Sequence, residues 1–123
     1  MPDSNAPILR EKTDALMWKV CQVHELFRAK DVEVPGQLVS VFCFIASHNP
    51  CHMQAIEDEL KLSPNSVSRN TDWLCDYHRL GKPGMGLIRK VKDPTNYRRR
   101  VCSLTPAGEQ MIENIKSILN EIN

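Results

Sequence analysis

The chain has 123 residues, with 16 lysines and arginines against 15 acidic residues and 41% hydrophobic residues. That length suits one domain burying roughly two-thirds of its unfolded surface and is short for two, and no apolar run reaches the roughly 20 residues that span a bilayer. The formal net charge of +1 conceals strong polarity: Arg79 to Arg100 holds eight basic residues against one acid, Asp93, a net of +7, which leaves −6 on the rest.

Apolar residues Leu9, Leu16, Val20, Val23 and Phe27 fall seven, four, three and four apart, the stripe of a first helix within residues 7–29, with Pro7 in or before its first turn. Lys30 to Gly36, with its β-branched residues, Pro35 and Gly36, breaks the pattern and reads as a connection. From Gln37 to Ser47 the chain is apolar almost all round, as expected of a helix buried on several sides, and His48-Asn49-Pro50 stops it. A third helix is expected over Cys51 to Leu60, with Met53, Ile56 and Leu60 on one face and Glu57, Asp58 and Glu59 on the other.

Lys61-Leu62-Ser63 is a short corner. Ser63 is a suitable N-cap and Pro64 a suitable first residue for a fourth helix running to about His78, with Val67, Thr71 and Leu74 inward. Two helices joined by so short a turn form a helix-turn-helix. Gly81 to Gly86 is turn chemistry, and Leu87 to Lys92 and Arg100 to Leu104 are two strands around the turn Asp93-Pro94-Thr95-Asn96, a β-hairpin wing. Thr105 and Pro106 repeat the cap logic and open a last helix over 105–122, whose apolar residues Met111, Ile112, Ile115, Ile118, Leu119 and Ile122 keep helical spacing. The expected fold is a single, mainly α winged helix-turn-helix domain over 1–123, with its core over 35–104 and its wing over 86–104.

This arrangement points to nucleic acid. Asn65, Ser66, Ser68, Arg69 and Asn70 would face outward from the fourth helix, and such side chains reach base edges in a major groove, asparagine toward adenine and arginine toward guanine. Ser63 at its head, Arg89 and Lys90 of the first wing strand, and Asn96, Arg98, Arg99 and Arg100 at the wing tip complete the expected DNA-binding set. Strand alternation would turn Arg98 and Arg100 one way and Arg99 the other. Trp73 is expected to pack, or to lie at the DNA backbone.

The run Ser66-Val67-Ser68-Arg69 with Leu74, then Gly86-Leu87-Ile88, Asp93-Pro94, and Arg98 with Ser103-Leu104-Thr105-Pro106-Ala107-Gly108 resembles MarR-type transcriptional regulators over about Pro35 to Gly108. The resemblance implies a repressor or other regulator with its recognition helix in the major groove of double-stranded DNA and a wing-tip arginine, here Arg98, in the minor groove. In that family an aspartate commonly steadies the arginine; here Asn96 stands in its place. The resemblance also implies a homodimer through the terminal helices, with Leu9, Leu16, Val20, Val23, Ile115, Ile118, Leu119 and Ile122 as the dimerisation residues.

Other chemistries are weaker. Cys21, Cys43, Cys51, Cys75 and Cys102 are odd in number and without CxxC spacing, so most should be small buried hydrophobes rather than a disulfide framework. His48, Cys51 and His52 form a local group that a metal would use if other ligands joined it, and Cys21 would sense peroxide if its pKa were depressed. No GxxxxGK[ST], HExxH or nucleophile elbow is present, so neither a cofactor nor catalysis is expected. The start Met1-Pro2-Asp3-Ser4-Asn5 has no leader character, which makes the cytoplasm the expected compartment. Two alternatives stay open: a winged helix that holds a partner protein by its basic face, and a metal-, redox- or small-molecule-responsive regulator of the same family.

Overall fold

A computed structural model describes residues 6–76, 81 and 83–120. The described elements run, in chain order, α1 (Ala15–Arg28), α2 (Gly36–Ser47), β1 (Cys51–His52), α3 (Met53–Leu60), α4 (Pro64–Leu74), β2 (Ile88–Asp93), β3 (Asn96–Leu104) and α5 (Pro106–Asn120). Helices dominate, α3 and α4 form the expected helix-turn-helix, and β2 and β3 form the wing.

Side-chain caps set most helix starts. Asp14 accepts from the Met17 amide at 3.1 Å, Ser63 from the Ser66 amide at 3.1 Å, and Thr105 Oγ1 from the Gly108 amide at 3.0 Å. Each accepts a hydrogen bond that the first turn cannot satisfy by itself. The Asp14 cap places the start of α1 well after the expected beginning of the first helix. Pro7 and Leu9 therefore precede it in non-helical chain, with Leu9 97% exposed. Between α3 and α4, Lys61 turns the backbone left-handed with φ 53°, and the Lys61 and Leu62 amides both return to the Glu57 carbonyl.

The core forms where α2 meets its neighbours. Leu38, Val41, Phe42 and Ile45 of α2 are fully buried with Phe27, Ile56, Val67, Leu74 and Leu87, and Phe27 meets Phe42 edge to face at 5.5 Å. Phe27 is the one member of the first-helix stripe that is fully buried, whereas Leu16 and Val20 are exposed.

The sheet order is β1-β3-β2, all antiparallel. Its third strand corrects the expectation that helix begins at Cys51: Cys51 and His52 are extended and pair with Cys102 and Val101. A two-residue strand is too short to carry an alternating pattern, and its partner lies about 50 residues away. The wing begins close under α5. A Cβ at Gly108 would stand 2.0 Å from the Leu87 carbonyl oxygen, so only glycine lets the first turn of α5 lie against the start of β2. Thr105 reinforces this junction by donating to the Gly86 carbonyl at 2.6 Å.

Gly108→Ala is expected to lower stability by about 1–3 kcal/mol or more, because the added methyl meets backbone rather than a side chain that can rotate away. Urea denaturation measures this, and a change within about 0.5 kcal/mol would show that the junction is looser than described.

Candidate nucleic-acid interface

Residues of α4 divide by what the helix packs on. Asn65 and Arg69 are exposed, as is the cap Ser63, while Ser66 and Ser68 are half-buried. Ser63 and Ser66 also bond to each other through their hydroxyls at 3.0 Å, and an Arg69 guanidinium nitrogen stands 3.4 Å from the Ser66 hydroxyl. These residues form a polar surface whose free cation is Arg69.

Asn70 corrects the outward set. It is 5% exposed, and its Nδ2 donates to Gln37 Oε1 at 3.1 Å and to the Ser66 carbonyl at 2.9 Å. It sits next to the inward Thr71 on the side that α2 covers, so it ties α4 to α2 instead of reaching a base. Trp73 likewise packs: it is half-buried, and its indole Nε1 donates to Asp31 Oδ2 at 3.1 Å in the α1–α2 connection.

Lys90 is the second correction. Its ammonium pairs with Asp72 of α4 and lies 3.2 Å from Thr71 Oγ1, and its side chain is only 9% exposed. Lys90 stands opposite buried Cys102 and two residues from buried Ile88, on the inward face of the hairpin. That parity was a usable sequence signal, because successive strand residues alternate faces. Lys90 therefore fastens wing to helix and is not offered to a ligand, whereas Arg89, on the other face, is exposed.

At the wing tip the pairing jumps from Lys92–Arg100 to Asp93–Asn96, so Tyr97, Arg98 and Arg99 have no β2 partner. This bulge breaks the simple alternation expected for the three arginines, and all of Arg98, Arg99 and Arg100 are exposed around one groove. Asn96 does not steady the Arg98 side chain. Its Oδ1 instead accepts from the Arg98 backbone amide at 3.1 Å. Among the described residues, none of the three guanidiniums is paired with a carboxylate.

The tip is anchored by a contact between residues 41 apart, which no local pattern signals. His52 Nε2 and Asp93 Oδ2 are 2.8 Å apart, while Asp93 Oδ1 accepts from the Thr95 amide at 2.9 Å and the Thr95 hydroxyl at 2.7 Å. These hydrogen bonds, that from His52 first, hold the Asp93 carboxyl down at about 2. His52 precedes α3 directly, so the wing turn is fixed to the helix-turn-helix. Between them lies a groove of about 380 Å³, with Pro64 at the head of α4 on one side and the wing arginines on the other. The head of α4 and the basic wing thus border one groove.

The remaining candidate chemistry disperses. His48 Nδ1 lies 3.0 Å from the Phe44 carbonyl and its ring stacks on Phe44, while His52 is engaged with Asp93. Among the described residues no three His, Cys, Asp or Glu side chains gather as a metal site. Cys51 and Cys102 are buried and Cys75 half-buried, and burial pushes all three thiols up, Cys102 to about 12, which disfavours the reactive thiolate. Cys21 and Cys43 are exposed, contrary to the buried role expected of most. Of the expected dimerisation residues, Leu16, Val20 and Leu119 are exposed on their helices and Val23, Ile115 and Ile118 are half-buried. Leu9 lies off the helix, and Ile122, like His78, Arg79 and Lys82 of the sequence reading, lies outside the described residues. No described helix is long and apolar enough to cross a membrane.

No family model matches the chain, and no curated protein matches it. Solved structures do. RV1404 from Mycobacterium tuberculosis superposes with a TM-score of 0.63 at 20% identity, covering 91% of this chain and 77% of that one. A mutant MarR from E. coli complexed with operator DNA gives 0.59 at 14%, covering 90% and 80%. Reduced AbfR bound to DNA gives 0.57 at 19%, covering 84% and 75%. The fold is the MarR-type winged helix-turn-helix.

Asp93 gives this site a pH signature. Its folded pKa of about 2 lies below its ordinary 3.8, so its stabilising contribution is complete above about pH 4 and is lost as pH falls toward 2. The stability gap between wild type and Asp93→Asn, read from urea midpoints, is expected to narrow over that window. A gap constant with pH would mean that the carboxylate is not held this way.

Proposed function

We propose that this chain is a sequence-specific, double-stranded DNA-binding transcriptional regulator, a repressor acting by occupancy, without catalysis. The observation that carries the reading is the groove that the head of α4 shares with the wing, lined by Arg98, Arg99 and Arg100, with Arg69 exposed farther along α4; none of the four is paired with a carboxylate among the described residues. Solved structures of the same fold include MarR complexed with operator DNA and AbfR bound to DNA, which supports the same use here. In this reading Asn65, Ser66, Ser68 and Arg69 face the major groove, Arg89 and the wing arginines meet the backbone or minor groove, and Ser63 shapes the helix start.

The reading includes a homodimer. The core over 35–104 reads DNA, while the helices within 7–29 and 105–122 join two copies. Support comes from the apolar surface left open on α1, where Leu16 is 69%, Met17 59% and Val20 57% exposed, and on α5, where Leu119 is 52% exposed. Burying such surface contributes roughly 25 cal/mol per Å² of apolar area. Two recognition helices would then read half-sites roughly 10 bp apart.

Gel-shift titrations across salt concentrations separate the roles. Arg69→Ala should cost about 1–3 kcal/mol and relax preference at one base position. Arg99→Ala should weaken binding to all sequences and flatten the log–log salt slope by about one. Unchanged slopes would remove the wing from the interface. Light scattering tests the assembly: Val20→Glu, at an exposed site that should not disturb the monomer's fold, is expected to halve the measured mass, and a wild type already monomeric would refute the dimer.

A further inference from the structure

A helix in the major groove and a hairpin reaching toward the adjacent minor groove have one sugar–phosphate strand between them, because that strand is what separates the grooves. In this molecule a groove of about 380 Å³ separates the wing tip from α3 and the head of α4, bounded by Gln54 and Glu57 of α3, Pro64 of α4, and Arg98, Arg99 and Arg100. We infer that this groove seats a phosphate of the duplex backbone, and that the wing arginines are phosphate contacts and not readers of the minor groove. The inference rests on the DNA-binding reading and deepens it.

Two features of the wing carry it. The side chain placed to hold Arg98, Asn96, uses its Oδ1 on the Arg98 backbone amide and not on the guanidinium. The unpaired bulge at Tyr97-Arg98-Arg99 instead gathers three guanidiniums around the groove. Backbone phosphates attract such a cluster without regard to sequence. The His52–Asp93 contact keeps the tip at this distance from α3. Sequence preference then rests with α4.

Glu57 supplies the sharpest consequence. It is the acidic residue in the groove wall, its side chain forms no hydrogen bond or ion pair among the described residues, and it would repel the phosphate seated there. Removing its charge should therefore strengthen binding, which loss of a merely structural residue would not do.

The test uses full-length protein and a duplex carrying a site selected from random DNA, with the A·T pairs flanking the core of the site replaced by I·C or by G·C. Glu57→Gln is expected to bind about threefold or more tighter at low salt, with the gain vanishing as salt rises. Arg98→Ala is expected to lose affinity equally on all three flanks, since guanine differs from inosine only by the amino group in the minor groove. Thermal melts matching wild type confirm that both variants fold. A G·C flank that weakens wild type but not Arg98→Ala would place the arginine in the minor groove and overturn the phosphate seat, as would unchanged affinity in Glu57→Gln. Absence of saturable duplex binding by wild type would be a different failure, removing the DNA-binding reading itself.

Discussion

The geometry of the cationic surface depends on one shielded ion pair, Lys90 of β2 with Asp72 of α4, supported by Thr71. Such a pair adds little net stability, because taking both charges from water offsets most of their attraction. Leaving either partner alone is costly, however, so the contact penalises any movement of the hairpin away from the helix. It lies at the foot of the wing, where the inward face of β2 passes over α4. A second tie, between His52 and Asp93, acts at the other end, joining the turn of the hairpin to the residue before α3. Hairpins of two strands are only marginally stable alone. Here one is fastened at foot and tip to the helix-turn-helix it flanks.

These ties explain why charge is distributed as it is. A wing rich in basic residues repels itself, and among the described wing residues the cation paired with a carboxylate is the one that serves packing. Lys90 receives a carboxylate, while Arg98, Arg99 and Arg100 receive none among the described residues. The single acid of the basic segment, Asp93, is spent on His52 and Thr95 and does not quench the neighbouring arginines. The bulge then gathers those arginines around the space between wing and helices. Rigid support and unpaired charge are thus separated along one hairpin, as a binding surface requires.

The other end of the molecule is built differently. Here α1 and α5 pack on each other but leave aliphatic side chains and Trp18 partly open to solvent. The core around α2 is closed by Phe27, Phe42 and their neighbours without help from Leu16 or Val20. Those side chains are therefore surplus to the monomer's core, consistent with the two-copy assembly proposed above.

Local chemistry made most elements legible. Ser63-Pro64 and Thr105-Pro106 announced helix starts, His48-Asn49-Pro50 a helix end, and Pro94-Thr95 the wing turn, since caps and turns depend on residues a few positions apart. Burial of Ile56, Val67 and Leu74 followed from period, and that of Phe42 from the all-round apolarity of its helix. What the sequence could not decide were contacts between distant segments. Asn70 looked outward until α2 brought Gln37 to it, strand parity could turn Lys90 inward but not name Asp72 as its partner, and Cys51-His52 read as helix until β3 claimed them. Period and propensity report only the backbone within a turn or two. Which polar group is paired, and which charge is left free for a partner, is settled when the chain folds and sets residues tens of positions apart within hydrogen-bonding distance.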